Sequence, residues 1–210
     1  MRYFPINLDV RGRKVVVVGG GGVARRKVAS LVRCGAEVTV VSPGFCRALS
    51  RMKGIRRVRR RYRKGDTKGA CLVVSATDSD QVNRRVHRHA VDAGIPVNVV
   101  DRPELCTFTI PAVVGKGDLV VTVSTGGASP ALSRRVREKM EEDIGRTFAD
   151  HAALMKAIRP KVLSSPLSAR RRKDILTRMA GEEVHGVLER RGTRAARRMM
   201  ESMLEEALQG

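Results

Sequence analysis

Val15-Val16-Val17-Val18-Gly19-Gly20-Gly21-Gly22-Val23-Ala24, running into a helix-like stretch from Arg25 to Arg33, decides how this chain folds. Four consecutive β-branched residues read as a strand buried on both faces, and the glycines read as a tight turn. Gly19, Gly21 and Ala24 give the spacing G-x-G-x-x-A between that strand and a helix, the fingerprint of a dinucleotide site. Glycine lets the backbone approach a pyrophosphate. The helix N-terminus adds unpaired N–H groups and about half a positive charge. The second strand, Glu37-Val38-Thr39-Val40-Val41, then ends in Ser42-Pro43-Gly44 rather than in the acid that usually holds a ribose. Ser42 can bond a ribose hydroxyl and Arg47 can favour a 2′-phosphate, so the residues alone leave NAD and NADP both open.

The pattern continues outward from that unit. A short helix near Arg47–Met52 and a basic strand over Ile55–Arg59 follow, then a strand over Cys71–Ser75 entering the loop Ala76-Thr77-Asp78. A helix from Asp80 to Asp92, closed by Gly94, leads to a strand over Val97–Val100. Apolar strands joined by crossover helices predict an α/β fold with a Rossmann-like parallel sheet. After Pro103 the pattern changes. Phe108-Thr109-Ile110, Ala112-Val113-Val114 and Leu119 to Val123 read as a hairpin around a four-residue turn, Gly115-Lys116-Gly117-Asp118. Ser129 as N-cap and Pro130 as first residue predict a helix over Ala131–Glu142. The remainder reads as helical, with breaks near Pro160, Ser164-Ser165-Pro166, Gly181 and Gly192, and with a packing stripe of Met199, Met203, Leu204 and Leu208.

The chain has 210 residues and a formal net charge of +21. Arg47 to Lys64 holds ten basic residues and no acidic one, and His151 to Gly210 holds thirteen basic against seven acidic. Such a field steers polyanions. Nucleic acid, a small polycarboxylate and a merely arginine-rich solvated surface all fit it. With two Tyr, four Phe and no Trp, stacking platforms are scarce, which argues against nucleic acid. No apolar run reaches the roughly 20 residues of a membrane span and no signal-peptide core opens the chain, so a cytoplasmic location is expected. Cys34, Cys46, Cys71 and Cys106 form no C-x-x-C pair, and three of them sit within or beside apolar runs as small hydrophobes. No metal site is expected: His87 and His89 read as surface residues on different helix faces, and His151 and His185 as isolated.

Ligands of open parallel sheets bind beyond the carboxyl ends of the strands. Four such ends converge here: the glycine turn, Ser42-Pro43-Gly44, Thr77-Asp78, and Val100-Asp101-Arg102-Pro103. Asp101 is the leading catalytic candidate, a carboxylate facing the cofactor crevice that can accept a proton; a loop aspartate paired with Arg102 is the plainer alternative. Ser124-Thr125-Gly126-Gly127-Ala128-Ser129-Pro130 is a second strand–glycine–helix junction, suited to a carboxylate or serving as an ordinary capped helix start. Arg134, Arg135 and Arg137 follow on its helix and can add charge to a polyacid site.

Taken in order, these residues are familiar. Arg2-Tyr3-Phe4-Pro5-Ile6-Asn7-Leu8 and Val17 to Lys27 open the series, and Ala76-Thr77-Asp78 and Asn98-Val99-Val100-Asp101 continue it. Phe108-Thr109-Ile110-Pro111-Ala112 and Ser124 to Pro130 complete it. The series resembles the precorrin-2 dehydrogenase family, which includes the dehydrogenase and ferrochelatase half of siroheme synthases, over roughly the first 145 residues. The resemblance implies NAD-dependent oxidation of precorrin-2 to sirohydrochlorin by a homodimer. It implies a Rossmann domain over residues 1–112, a small α+β dimerisation region (hairpin plus helix) over 113–145, and a helical C-terminal domain over 146–210. Gly19, Gly21, Gly22, Val23, Ala24, Ser42, Pro43, Gly44, Thr77 and Asp78 then line the cofactor. Ser124, Thr125, Gly126, Gly127, Ser129 and Arg134 would meet the substrate, and Asp101 matches the family's essential aspartate. Thr125 stands where some members carry a serine. The second strand of the family likewise lacks the ribose acid, which points to NAD. Some members also insert iron into sirohydrochlorin; dehydrogenation alone is expected here, because no histidine cluster accompanies Asp101. A non-catalytic NAD-sensing module and a nucleic-acid-binding module are the rival readings.

Overall fold

The computed structural model describes residues 3–209, and it falls into two compact units that meet in the chain at Ile110 and Pro111. Arg2, first in the opening motif above, lies outside the described residues.

The first unit is built on a five-stranded sheet. Its strands are β1 (Lys14–Val18), β2 (Glu37–Ser42), β3 (Ile55–Arg59), β4 (Leu72–Ser75) and β5 (Val97–Val99), all parallel in the order β3-β2-β1-β4-β5. The valine run makes β1 the central strand, and Val15 to Val18 are at most 2% exposed. Alternate side chains reach opposite faces. Val15 and Val17 join Ala24 and Val28 of α1 (Gly22–Arg33); Val16 and Val18 join Val86 and Ala90 of α3 (Asp80–Asp92). Each buried valine contributes about 1.5–3 kcal/mol, so these two layers fix the sheet between its helices. A short α2 (Arg47–Arg51) precedes the basic edge strand β3. The α/β class with a parallel Rossmann-like sheet, expected from the sequence, is the fold of this unit.

The second unit begins with the antiparallel pair β6 (Ala112–Lys116) and β7 (Leu119–Val123), against which α4 (Pro130–Asp143) packs. Three further helices follow: α5 (Gly145–Ser164), α6 (Ala169–Met179) and α7 (Glu182–Gln209). They close over Leu154, Ile158, Val162, Ile175, Met179, Val184, Leu188, Ala196, Met200 and Met203.

Several local expectations are revised. Lys116 pairs with Leu119, so the hairpin loop is the two residues Gly117-Asp118 rather than four, with Gly117 at φ 59°. A two-residue loop matches strand twist, and only glycine takes that angle without strain. Phe108 to Ile110 form no strand; Phe108 instead packs on the α1 layer while its carbonyl accepts from Asn98 Nδ2 at 3.0 Å. Pro160 does not end a helix. It sits inside α5, where burial of Ile158 and Val162 offsets the cost of about 3 kcal/mol. The expected break at Gly192 is present as a kink with φ 75° and ψ 176°. Of the expected C-terminal stripe, Met203 is buried and Met199 and Leu204 pack against the same core, joined by Ala196 and Met200, whereas Leu208 is exposed.

Candidate functional site

The glycine turn is interlocked with two neighbouring loops. A Cβ on Gly19 would lie 2.1 Å from the carbonyl oxygen of Ala76, and one on Gly20 only 1.8 Å from that of Gly44. Gly19 N–H donates to Val41 O at 2.9 Å, and Cys46 N–H donates to Gly20 O at 2.8 Å. The ends of β1, β2 and β4 therefore meet at two positions where no side chain fits. Gly20 did not figure in the cofactor set read from sequence, because only the fold brings Gly44 against it.

Gly21 and Gly22 differ from that pair. A Cβ on either meets nothing within 4 Å, and both are exposed. Gly21 is the N-cap of α1, where no side chain accepts from the first-turn N–H groups and no acid stands in that turn. Val23 and Ala24 occupy the first turn itself. The helix thus presents its N–H groups and its positive end to the crevice with nothing of its own to satisfy them, the condition for holding a phosphate.

Around this turn stand the other strand ends. Ser42 is 7% exposed and its hydroxyl has no hydrogen-bond partner among the described residues, whereas Pro43, Gly44 and Arg47 are exposed. Arg47 has no ion pair among the described residues. Thr77 also holds its own loop together. Its hydroxyl lies 2.8 Å from Asn83 Oδ1 and accepts from Ser79 N–H at 3.3 Å, while Asn83 Nδ2 donates to Thr77 O at 3.0 Å. Ser75 Oγ donates to the same Asn83 oxygen at 2.8 Å. Buried Asn83 therefore fastens the loop after β4 to α3, and Asp78 is left exposed on it. Sequence alone gave no signal for Asn83, since its partners are six and eight residues away across a loop.

Asp101 closes the set. Arg102 N–H donates to Val99 O at 3.3 Å, closing a four-residue turn whose third residue is Asp101 at φ 60°. It is the one non-glycine residue with positive φ among the described residues. Glycine is the ordinary choice at such a position; a carboxylate held there instead points to function. Arg102 does not pair with it, but reaches Asp80 at 3.1 Å and Glu104 at 3.9 Å. Asp101 is exposed. Its electrostatic neighbour is Lys27 on α1, whose ammonium burial pushes below the usual lysine range, with Arg26 adding to the shift and Asp101 opposing it.

In the second unit, the Ser124–Pro130 loop is largely self-satisfied. Thr125 Oγ1 accepts from Ser129 N–H at 3.0 Å and lies 3.1 Å from both Ser129 O and Ser133 Oγ. Ser129 Oγ caps α4 by accepting from Leu132 N–H at 3.1 Å. Ser124 Oγ accepts from Gly126 N–H at 3.2 Å, and Gly126 and Gly127 open onto free space. Arg134 pairs with Glu138 at 2.9 Å, and Arg137 with Glu138 and Glu141. The histidines depart from expectation. His87 and His89 are half-buried, bonded to Leu105 O at 2.9 Å and Tyr62 OH at 3.1 Å. His151 and His185 are not isolated: their Nδ1 atoms lie 3.4 Å apart, and His151 Nε2 donates to Met179 O at 2.8 Å at the end of α6. No group of three or more metal-ligating side chains converges among the described residues. No helix among them is long and apolar enough to cross a membrane.

A glycine-interlocked turn, an uncapped helix and a parallel sheet with converging loops define a dinucleotide-binding α/β protein of the Rossmann class. Residues 6–112 match a family described as "Putative NAD(P)-binding", and residues 116–142 match "Sirohaem biosynthesis protein central". Siroheme synthase of Methylobacillus flagellatus is 39% identical over 97% of this chain and 44% of its own length. That of Thioalkalivibrio sulfidiphilus is 37% identical over 99% of this chain and 43% of its own length. The chain thus spans less than half the length of these relatives. A solved structure titled "SirC, precorrin-2 dehydrogenase" superimposes with a TM-score of 0.78 at 25% identity, covering 95% of this chain and all of that one. The chain belongs to the family described as putative NAD(P)-binding and carries, after that region, a match to the central part of sirohaem biosynthesis proteins.

Proposed function

We propose that this chain oxidises precorrin-2 to sirohydrochlorin with NAD, the substrate giving up a hydride to the nicotinamide and a proton to the protein. The observation that supports it most is Asp101, a carboxylate held at φ 60° on a strand end, with Lys27 of the uncapped helix after the glycine turn as its electrostatic neighbour. NAD, when bound, supplies the hydride acceptor. The N–H groups of Gly22, Val23 and Ala24 would hold its pyrophosphate, with Gly19 and Gly21 letting the backbone come close. Ser42, Pro43 and Gly44 would border the adenosine ribose, and Thr77 and Asp78 the opposite wall. Ser42 rather than an acid, as in the family, fits NAD. Asp101 Oδ takes the proton released with the hydride, so that NADH and one proton leave for each substrate oxidised.

Precorrin-2 is a polycarboxylate, and a chain of net charge +21 draws it in and offsets its desolvation. Of the residues of the Ser124–Pro130 loop, the Ser124 hydroxyl and the N–H of Gly127, which the loop itself leaves open, would take one of its carboxylates. A homodimer belongs to the same proposal: Val113 and Val120 of the β6–β7 pair are 48% and 54% exposed, an apolar face suited to a second copy. A cytoplasmic site suits four free cysteines. Anaerobic incubation with precorrin-2 and NAD, following NADH and tetrapyrrole absorbance, tests the reaction, and ferrous iron added afterwards tests chelation. Asp101→Asn should still bind NAD and lose at least about 100-fold in turnover, the scale of general-base catalysis. Normal turnover removes Asp101 from the mechanism; NAD binding with no spectral change on adding precorrin-2 favours a sensing module.

A further inference from the structure

The left-handed turn that carries Asp101 is fastened on one side by Val100 N–H, which donates to Ser75 O at 2.9 Å, and on the other by a sulfur atom. Cys106 Sγ lies 3.2 Å from Val99 N and accepts its N–H. It lies 3.2 Å from Val99 O and from Arg102 O, to either of which its S–H can donate. Asn98 Nδ2 approaches the same sulfur at 3.5 Å. The thiol therefore bonds both ends of the four-residue turn, Val99 and Arg102, with Val100 and Asp101 looped between them. The segment behind it is anchored in turn: Thr107 N–H donates to Val97 O at 2.9 Å, and Val97 N–H to Thr107 Oγ1 at 2.8 Å. Cys106 is thus held against the end of β5 on a strut.

A turn with an aspartate at positive φ needs such a restraint. The left-handed conformation is disfavoured for a non-glycine residue and persists where the surroundings over-determine it. The backbone bond from Arg102 N–H to Val99 O is long at 3.3 Å, and the contacts of Cys106 add to it at the same two residues. Burial pushes the Cys106 thiol up, opposed by its bond with Val99, so the group stays a neutral S–H donor rather than a reactive thiolate.

We propose that Cys106 is a positioning residue for the reaction, clasping the turn between Val99 and Arg102 so that the Asp101 carboxylate is held at the nicotinamide crevice. This rests on the role given to Asp101 above, and the test separates the two. Cys106→Ala should lower kcat about tenfold or more, since a misplacement near 1 Å can cost as much as 100-fold. The NAD Kd and the KM for precorrin-2 should stay within about twofold, and Cys106→Ser, which keeps a donor and an acceptor, should recover most of kcat. Placed in Asp101→Asn, Cys106→Ala should cause no further loss, because the two act as a unit. Wild-type kcat in Cys106→Ala, or losses that multiply in the double variant, overturns the clasp. Full turnover in Asp101→Asn sinks the role of Asp101 itself, whereas a loss at Asp101 with none at Cys106 sinks the clasp alone. Should Cys106→Ala not fold, Cys106→Val, similar in volume but without a donor, replaces it, and failure of both to fold assigns Cys106 a purely structural role and overturns the proposal.

Discussion

The molecule contains two strand–glycine–helix junctions, one at α1 and one at α4, and they use the same residue types to opposite ends. At α1 the N-cap is a glycine with no side chain to offer, no acid stands in the first turn, and the preceding glycines are wedged against the carbonyls of Ala76 and Gly44. At α4 the N-cap Ser129 accepts from Leu132 N–H, Pro130 removes one donor, and Thr125 bridges to Ser129 and Ser133. A Cβ on either glycine of the second junction would meet nothing, while Gly19 and Gly20 of the first are where three loops meet. A helix start whose donors are satisfied by its own residues is a structural device. One whose donors are left open, on loops that are themselves locked, is a binding device. At the second junction, the Ser124 hydroxyl hydrogen and the N–H of Gly127 are the groups left for a carboxylate, since Gly126 N–H already donates to Ser124 Oγ.

The contrast can be broken at its most crowded point. Gly20→Ala puts a methyl 1.8 Å from a backbone oxygen and should destabilise the fold by more than about 3 kcal/mol, read as a fall in the urea midpoint. Gly127→Ala should cost about 1 kcal/mol, because only its φ of 93° opposes it. Equal losses at the two would mean that the first junction is not interlocked. Gly21→Asp converts the first junction into the second kind. The new carboxylate has open space and can cap α1, so thermal stability should hold or rise, while NAD binding weakens by at least about 100-fold, roughly 2.7 kcal/mol. Unchanged NAD affinity would mean that the phosphates bind elsewhere.

Ser129→Ala should lose about 1 kcal/mol of stability and leave the NAD Kd untouched; a change in NAD affinity would couple two junctions held here to act separately. The smallest effect belongs to α3, a third helix start, with Ser79 as cap and Asp80 in its first turn. The Arg84 guanidinium bonded to Asp80, with Arg102 beside it, holds that carboxyl below the usual range. A depressed carboxyl contributes stability above the ordinary aspartate pKa, and that contribution is lost as pH falls through the lower, folded value. Asp80→Asn should therefore flatten the stability profile below about pH 4 and leave the profile near neutrality almost unchanged. An acid limb identical to wild type would show that the ion pair contributes nothing.

Much of the site could be read from the chain because it is local. The run Val15 to Val18, the glycines after it and the helix that follows are contiguous, and their pattern fixes both the central strand and an open helix N-terminus. Asp101 was legible as a residue at a strand end for the same reason. The plainer pairing of Asp101 with Arg102 failed, because Arg102 turns to Asp80 and Glu104. Neighbours in sequence do not reveal which acids a fold brings within reach.

By itself the sequence determined the alternation of strands and helices, the parallel sheet and the place of the dinucleotide turn, since hydrophobic period and glycine spacing act over a few residues. Tertiary structure alone decided that Gly20 must be glycine, that Asn83 fastens the β4 loop, that Asp101 stands in a left-handed turn under Cys106, and that His151 meets His185. Each depends on atoms from separate elements arriving within about 4 Å, a distance set by packing the sheet or the helices and not by any stretch of chain on its own.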